Sequence, residues 1–271
     1  MIKLNAKWAS YPYIIWMLLF TILPLLLVVY FAFTDGNGAF TFDNVKQSAL
    51  YIPTLANSVY LAAIATVICL VLAYPFAFIM SRLTFSKQKM MSMLVMLPMW
   101  MNFLLRTYAW QAILEDNGVI NTMLTAIGLP AAKLINTSGA VVLGMVYNFL
   151  PYMVLPICTV MQKIDVSLLE AAGDLGCNNI IAVCKVVMPL SLSGVISGIT
   201  MVFVPSISTF YISQKMGGGS FDLVGDTIER QFMANTNYNM GAALSLVLMI
   251  LVLLSMAVMN RFGDEEGGIV V

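Results

Sequence analysis

Charged residues are absent from several long stretches of the chain, and each stretch is long enough to cross a bilayer. A helix needs about 20 apolar residues to span the hydrocarbon core. The uncharged stretches predict six membrane-spanning helices, over residues 13–33, 56–80, 91–113, 140–161, 188–211 and 240–260. Arg106 is the only charged residue inside them. The pattern therefore predicts an all-α polytopic membrane protein with a single transmembrane domain over residues 1–271.

The composition supports this prediction and excludes several classes of function. Of the 271 residues, 61% are apolar and 10% are charged, whereas about 25% of the residues of a soluble domain are charged. Basic and acidic residues balance at 13 each, and no basic run could follow a phosphate backbone, so we expect no nucleic-acid partner. The chain lacks histidine, which excludes Ser-His-Asp and Cys-His hydrolases. Its four cysteines form no Cys-x-x-Cys pair, so we expect no metal site.

The basic residues between the spans predict the orientation of the bundle. Cytoplasmic loops carry an excess of Lys and Arg. If the N-terminus lies inside, the inner segments hold eight basic residues and the outer segments hold four. These are Lys3, Lys7, Arg82, Lys87, Lys89, Lys163, Lys185 and Arg261 inside, and Lys46, Lys133, Lys215 and Arg230 outside. We therefore expect both termini in the cytoplasm, with residues 262–271 as a charged C-terminal tail.

The inner segment between the fourth and fifth spans, residues 163–187, contains a short helix with marked ends. Ser167 and Glu170 have the spacing of a capping box, and Asp165 is an alternative cap. Gly176 is a natural C-terminal stop. The helix has barely two turns and an apolar face, and isolated helices this short are unstable. It must therefore pack either on its own bundle or on a partner.

The same segment carries a spaced motif. Glu170-Ala171-Ala172 is followed after three residues by Gly176, and after nine more by Val186-x-Met188-Pro189. The motif resembles the EAA signature of ABC-importer permeases, with Val186 in place of Ile and Met188 in place of Leu. The resemblance implies a type I importer fold without catalytic residues, in which residues 163–187 are the coupling loop. It also implies that a partner ATPase binds ATP and Mg²⁺ and docks on Glu170, Ala171, Ala172, Asp174 and Gly176.

A narrower resemblance covers most of the chain. Residues 53–58, 106–110, 170–176, 205–211 and 216–219 are similar to the B-type permeases of spermidine/putrescine importers. This resemblance implies polyamine import by alternating access across the bacterial cytoplasmic membrane. The complex would contain two homologous permeases, two copies of one ABC ATPase and an extracytoplasmic polyamine-binding protein. The alternatives are a permease for an amino acid, thiamine or a metal-complex anion, and an ion-coupled secondary transporter.

Aromatic and polar residues in three of the spans are candidates for the lining of a polyamine pathway. Aromatic faces attract ammonium groups by about 0.5–2 kcal/mol each, and no Asp or Glu lies inside a predicted span. The candidates are Trp100, Asn102, Tyr108, Trp110, Tyr147, Asn148, Ser206, Thr209, Phe210 and Tyr211. Packing or interfacial anchoring is the alternative for each of them. In the outer segment that follows, Asp222, Asp226 and Glu229 would share one face of a helix and could attract a polycation or contact the binding protein. Plain solvation and helix capping are the alternatives for these acids.

Two further features concern the packing of the spans. We expect Arg106 to snorkel at the outer end of the third span, to bond carbonyl groups, or to pair with Glu115 or Asp116, in a structural or gate-stabilising role. Gly194-x-x-x-Gly198 in the fifth span would permit close approach of another helix.

Overall fold

The computed structural model describes residues 6–219 and 221–267, which are almost entirely helical. Within these ranges an isolated bridge between Thr34 and Phe40 is the only β pairing. The first eight α-helices are α1 (Ala6–Met17), α2 (Leu23–Ala32), α3 (Asp43–Ser48), α4 (Ile52–Ser81), α5 (Phe85–Trp100), α6 (Phe103–Leu114), α7 (Val119–Ala126) and α8 (Ser138–Met161). They are followed by α9 (Val166–Asp174), α10 (Asn179–Ala182), α11 (Met188–Leu190), α12 (Leu192–Ser208), α13 (Tyr211–Met216), α14 (Val224–Met233) and α15 (Tyr238–Gly267).

Four continuous helical stretches are long and apolar enough to cross a membrane: Tyr11–Ala32, Asp43–Ser81, Ser138–Met161 and Tyr238–Met259. Two bent helix pairs also pass this test. Phe85–Trp100 meets Phe103–Ala126 at 86°, and Ile180–Leu190 meets Leu192–Ser208 at 71°. Counting each pair as one span gives the six that the sequence predicts. The third and fifth predicted spans are nevertheless not the continuous helices that were expected.

The break in the third span has a local cause. Pro98 cannot donate a backbone hydrogen bond, so it weakens the end of α5. The backbone is extended at Met101, and the Asn102 side chain accepts a hydrogen bond from the Leu104 amide at 2.8 Å. This interaction caps α6, because it gives the Leu104 amide an acceptor that the interrupted helix does not supply.

The break in the fifth span is tied to another helix. Proline stands at residue 189, and α11 ends one residue later, at Leu190. Ser191 at the break is fully buried, and its hydroxyl lies 3.0 Å from the hydroxyl of Tyr74 on α4. The bend is therefore held from the neighbouring helix as well as by the local sequence.

Helices α4, α8 and α12 pack against one another and form the centre of the bundle. Glycines permit this packing, as the sequence predicts. A Cβ atom on Gly194 would lie 2.9 Å from the carbonyl oxygen of Pro156, and one on Gly198 would lie 2.7 Å from the Met153 sulfur. Cys69 and Cys158 are buried in the same core. The closest helix contacts therefore occur where a side chain is missing.

The first span lies at the edge of this core, and the expected tail is helical in its first part. Helix α2 packs on α15 through Ala32, Ala242 and Ala243, and the large side chains of the first span are mostly exposed. Helix α15 continues to Gly267, and residues 268–271 of the predicted tail lie outside the described residues, as does Lys3. The cytoplasmic location of both termini stays a prediction.

Candidate functional site

Helix α9 forms the centre of the predicted coupling loop, and both its ends are fixed by hydrogen bonds. Asp165 is the N-cap, because its Oδ1 accepts from the Ser167 amide at 3.0 Å, and this contact lowers the pKa of Asp165. The predicted capping box of Ser167 and Glu170 is therefore wrong, and the alternative cap is confirmed. At the other end Gly176 has a φ of +83°. Its amide donates to the Gly173 carbonyl and the next amide donates to the Ala172 carbonyl, which is a Schellman motif.

The coupling residues lie on both sides of α9. Glu170, Ala171, Asp174 and Gly176 are exposed, whereas Ala172 is buried. Leu169 is half-buried and packs on the core formed by α4, α8 and α12. Exposed apolar side chains adjoin the acidic residues, at Val166, Leu168 and Leu175, of which Leu175 is 86% exposed. In the single chain the short helix is therefore anchored on one side and presents an uncovered apolar face on the other.

Arg82 fixes the beginning of this loop to the end of α4. Its Nη1 donates to the Ile164 carbonyl at 3.2 Å, one residue before the Asp165 cap. The guanidinium also lies over the Phe78 ring, 5.6 Å from its centre. In the sequence Arg82 is recognisable only as a charge that orients the bundle. Its partner is 82 residues away along the chain, so no local pattern could have identified the contact.

Three aromatic rings meet where α6 and α13 pack together, and we call Phe103, Tyr108 and Tyr211 the three-ring cluster. The Tyr211 ring lies 6.0 Å from Phe103 and 6.1 Å from Tyr108, centre to centre. The Lys215 ammonium is 5.3 Å from the centre of the Tyr108 ring and 5.9 Å from that of Tyr211. Tyr108 and Tyr211, which are both predicted pathway residues, are thus brought together beside Lys215. No sequence pattern connects this cation with them.

The other predicted pathway residues are dispersed. Trp110 and Tyr147 form a separate aromatic pair, with ring centres 5.3 Å apart. Asn148, Ser206 and Thr209 are buried in the packed bundle, where the Asn148 amide donates to the Gly144 carbonyl and the Ser206 hydroxyl donates to the Val202 carbonyl. The remaining three candidates are exposed in the single chain: Trp100, Asn102 and Phe210.

Arg106 does not snorkel as expected. The side chain is 8% exposed, and its guanidinium lies 5.9 Å from the centre of the Phe103 ring. No ion pair with Glu115 or Asp116 forms in the described part of the chain, and Nε and Nη1 are buried without an acceptor there. Nine residues of helix correspond to about 13 Å, so Glu115 at the end of α6 is out of reach. The predicted pairing is wrong for that reason.

The predicted outer acidic face does not form. Asp222 precedes α14 and pairs with Arg230, with 2.9 Å between Oδ2 and Nη1. Asp226 is 3% exposed and accepts hydrogen bonds from the Leu223 amide and the Ser213 hydroxyl, both at 2.9 Å. The Glu229 carboxylate accepts from the side-chain amide of Gln214. The three acids therefore act in local contacts, and the contact of Asp226 with the Leu223 amide is a helix cap of α14, as the alternative predicts. Burial raises the pKa of Asp226 to about 6.

Comparisons with known proteins agree with this architecture. No protein-family model matches the chain. The chain is 36% identical to the spermidine/putrescine transport permease PotB of Haemophilus influenzae over 256 residues, which cover 91% of this chain and 90% of that protein. A bacterial ABC transporter that imports the polysaccharide alginate has a solved chain with a TM-score of 0.81 at 15% identity, covering 96% of this chain and 95% of that one. The same alginate transporter bound to its periplasmic protein gives a TM-score of 0.77 at 16% identity, with the same coverage. These likenesses confirm the predicted ABC-importer permease fold.

We predict that Arg82→Met loosens the coupling loop. The hydrogen bond from the guanidinium to the Ile164 carbonyl would be lost, and a bond from a charged donor contributes about 1.5 kcal/mol. Amide hydrogen exchange over residues 165–176 should then become about tenfold faster. The matched control is Lys87→Met, at an exposed basic residue close in sequence. Equal exchange in the wild type and in Arg82→Met would contradict the anchoring role.

We also predict that Asp226 makes stability depend on pH. Because its pKa is about 6 in the folded state and 3.8 in the unfolded state, the folded state binds more protons between these values. The free energy of unfolding should therefore fall as the pH rises through this window. Between pH 5 and pH 7.5 the loss should be about 1 kcal/mol relative to Asp226→Asn, which does not titrate. A pH-independent difference between the two proteins, measured by denaturation in detergent, would refute the assignment.

Proposed function

The chain belongs to the family of spermidine/putrescine transport permeases, and from this premise we propose that it forms the membrane pathway of an ATP-driven polyamine importer. The observation that carries the proposal is 36% identity to a polyamine permease across nine-tenths of both chains. The protein is thus a multi-pass transport subunit of the bacterial cytoplasmic membrane, and it is not an enzyme. We propose the cargo from this homology, since the sites described above do not by themselves select a substrate.

We propose that α9 receives the energy of ATP hydrolysis from a partner ATPase. The support is an exposed apolar face, with Leu168 and Leu175, on a helix too short to be stable alone. Glu170 is exposed beside this face and supplies a charge for specific docking. ATP and Mg²⁺ would bind to the ATPase, and Glu170, Ala171, Ala172, Asp174 and Gly176 would form the docking element of residues 163–187. Ala172, being buried, would set the position of the helix on the bundle.

Two contacts could transmit a movement of α9 to the membrane-spanning helices. Arg82 connects the loop to the end of α4, and Leu169 packs on the central helices α4, α8 and α12. A displacement of the docked helix would therefore act on the core of the bundle. In the alternating-access model, this movement opens and closes the pathway.

The pathway would run beside the break between α5 and α6. Non-helical backbone at membrane depth is tolerated only where protein or a water-filled cavity covers it. Trp100 at this break is 74% exposed in the single chain, and Tyr108 is also exposed. A second, homologous permease would cover this side, and the cargo would pass between the two chains along aromatic faces and carbonyl groups. Because no acid lies inside the predicted spans, the external binding protein would supply most of the affinity.

The partners follow from the same family. An ABC importer contains permease chains, ATPases and an external binding protein, and the alginate transporter resembling this chain was solved with its periplasmic protein. We propose a heterodimer of this chain with a second permease, two copies of one ATPase and an extracytoplasmic polyamine-binding protein. The single domain of residues 1–271 would have both termini in the cytoplasm, with residues 262–271 as a charged tail.

The cargo can be tested by transport in proteoliposomes that contain the partner subunits. We predict ATP-dependent uptake of labelled spermidine or putrescine, because the chain is 36% identical to a polyamine permease over nine-tenths of both chains. Unlabelled polyamine should compete, and amino acids and thiamine should not. Competition by amino acids without any effect of either polyamine would refute the cargo while leaving the permease fold untouched.

The coupling role can be tested with Glu170→Lys. We predict at least a tenfold loss of ATP-driven uptake with unchanged membrane insertion, because the reversed charge would face the docked ATPase. The matched control is Glu115→Lys, an exposed acid distant from α9, which should retain wild-type uptake. Full uptake by a correctly inserted Glu170→Lys complex would overturn the coupling role.

A further inference from the structure

The Lys215 ammonium occupies a position that suits an ammonium group of the cargo. It contacts the Tyr108 and Tyr211 rings at 5.3 and 5.9 Å from their centres. The two rings stand at 86° to each other, so one cation contacts both. A lysine side chain is an ammonium group on four methylenes. Putrescine is a chain of four methylenes with an ammonium group at each end, so either end resembles the lysine side chain. The protein thus holds its own copy of the group that it is proposed to transport.

Ion pairing does not explain the position of Lys215. Helix α13, which carries it, packs against α14 with its acidic residues. Each acid there has another partner, since Asp222 binds Arg230, Asp226 binds Ser213 and Glu229 binds Gln214. Asp222 forms its salt bridge with Arg230, and in the described part of the chain Lys215 takes part in none. The two tyrosines are therefore the site that retains the ammonium, through both rings and through a hydrogen bond to the Tyr108 hydroxyl.

A second cation lies against Phe103, the third ring of the cluster. Arg106 is buried over Phe103, and Phe103 contacts Tyr211. In the part of the chain that the structure describes, no acceptor compensates Nε or Nη1 of this guanidinium. The rings of the cluster therefore contact two positive charges of the protein itself. A cationic cargo beside both would be repelled, so a stable complex requires that the mobile cation leaves.

Lys215 is the cation able to leave. It is half-buried near the end of a six-residue helix, on a flexible four-carbon stem. Arg106 is enclosed in the interior. Moving Lys215 away would free both tyrosine faces and remove one of the two charges. An arriving ammonium would regain the same cation–π contacts that the departing ammonium loses.

We propose that Tyr108 and Tyr211 form an alkylammonium site on the pathway, which Lys215 occupies between transport cycles and which a polyamine enters by displacing it. This inference rests on the proposed function, since it assumes that polyamine reaches the cluster. Lys215 acts as a tethered competitor. The apparent affinity of the site therefore equals its intrinsic affinity multiplied by the fraction of time for which the site is free. The return of Lys215 to the site would displace the ammonium group of the cargo and favour release of the cargo.

The inference predicts that removal of the competitor tightens binding. In the purified complex without ATP, Lys215→Met should bind labelled putrescine about three- to tenfold more tightly, as expected for the loss of a competing cation–π contact. Lys215→Gln should show the same gain. The matched control Lys133→Met removes an exposed lysine and should leave the affinity unchanged. Affinity that is unchanged or weaker in both Lys215 variants would overturn the inference.

A double-mutant cycle separates this site from other effects of charge. Tyr108→Leu should weaken putrescine binding, and in that background Lys215→Met should give little or no further gain, because the site for which the lysine competes is damaged. A gain of the same size in both backgrounds would mean that Lys215 acts by long-range repulsion, and would overturn the site. Failure of the wild-type complex to take up polyamine would count against the proposed function, whereas binding by the Lys215 variants would still decide the alkylammonium site.

Discussion

Every backbone amide and carbonyl within the hydrocarbon core must find a partner inside the protein, because lipid offers none. This constraint explains why the described chain is almost entirely helical and why its departures from a regular helix are so specific. At the third span Asn102 replaces the missing partner with its side chain. At the fifth span Ser191 is buried and held beside Tyr74. The breaks occur where proline removes a donor and a polar side chain compensates.

The same constraint divides the molecule into a rigid centre and two functional ends. Glycines bring α12 against α8, and residues of α4 complete that core. The proposed coupling end depends on polar contacts, with Arg82 on Ile164, the Asp165 cap and the turn at Gly176. The other end, where α6 packs against α13, depends on contacts between aromatic rings and cations. A rigid core between these ends is suited to transmit a movement from one to the other.

Charge is sparse in this protein, and nearly all of it near the three-ring cluster is already engaged. The three acids that the sequence suggested as an attractive surface form local contacts, and one of them is buried. Two cations, in contrast, lie against aromatic faces. A pathway with this arrangement would hold polyamine weakly, which suits a transporter that receives its cargo from a binding protein and must release it.

The sequence by itself determined the class of fold, the positions of the long apolar stretches and the turn at Gly176, because bilayer thickness and helix termini act on local stretches of chain. It also placed glycines at the helix contact correctly. It failed for the ion pair of Arg106 and for the shared face of the outer acids, and it overlooked the contacts of Arg82 and Lys215. Their environments depend on residues distant in sequence, such as Ile164, Tyr211 and Ser213, which only packing brings near. Periodicity shows which face of a helix is apolar, whereas the partner of a buried charge is decided by the tertiary structure.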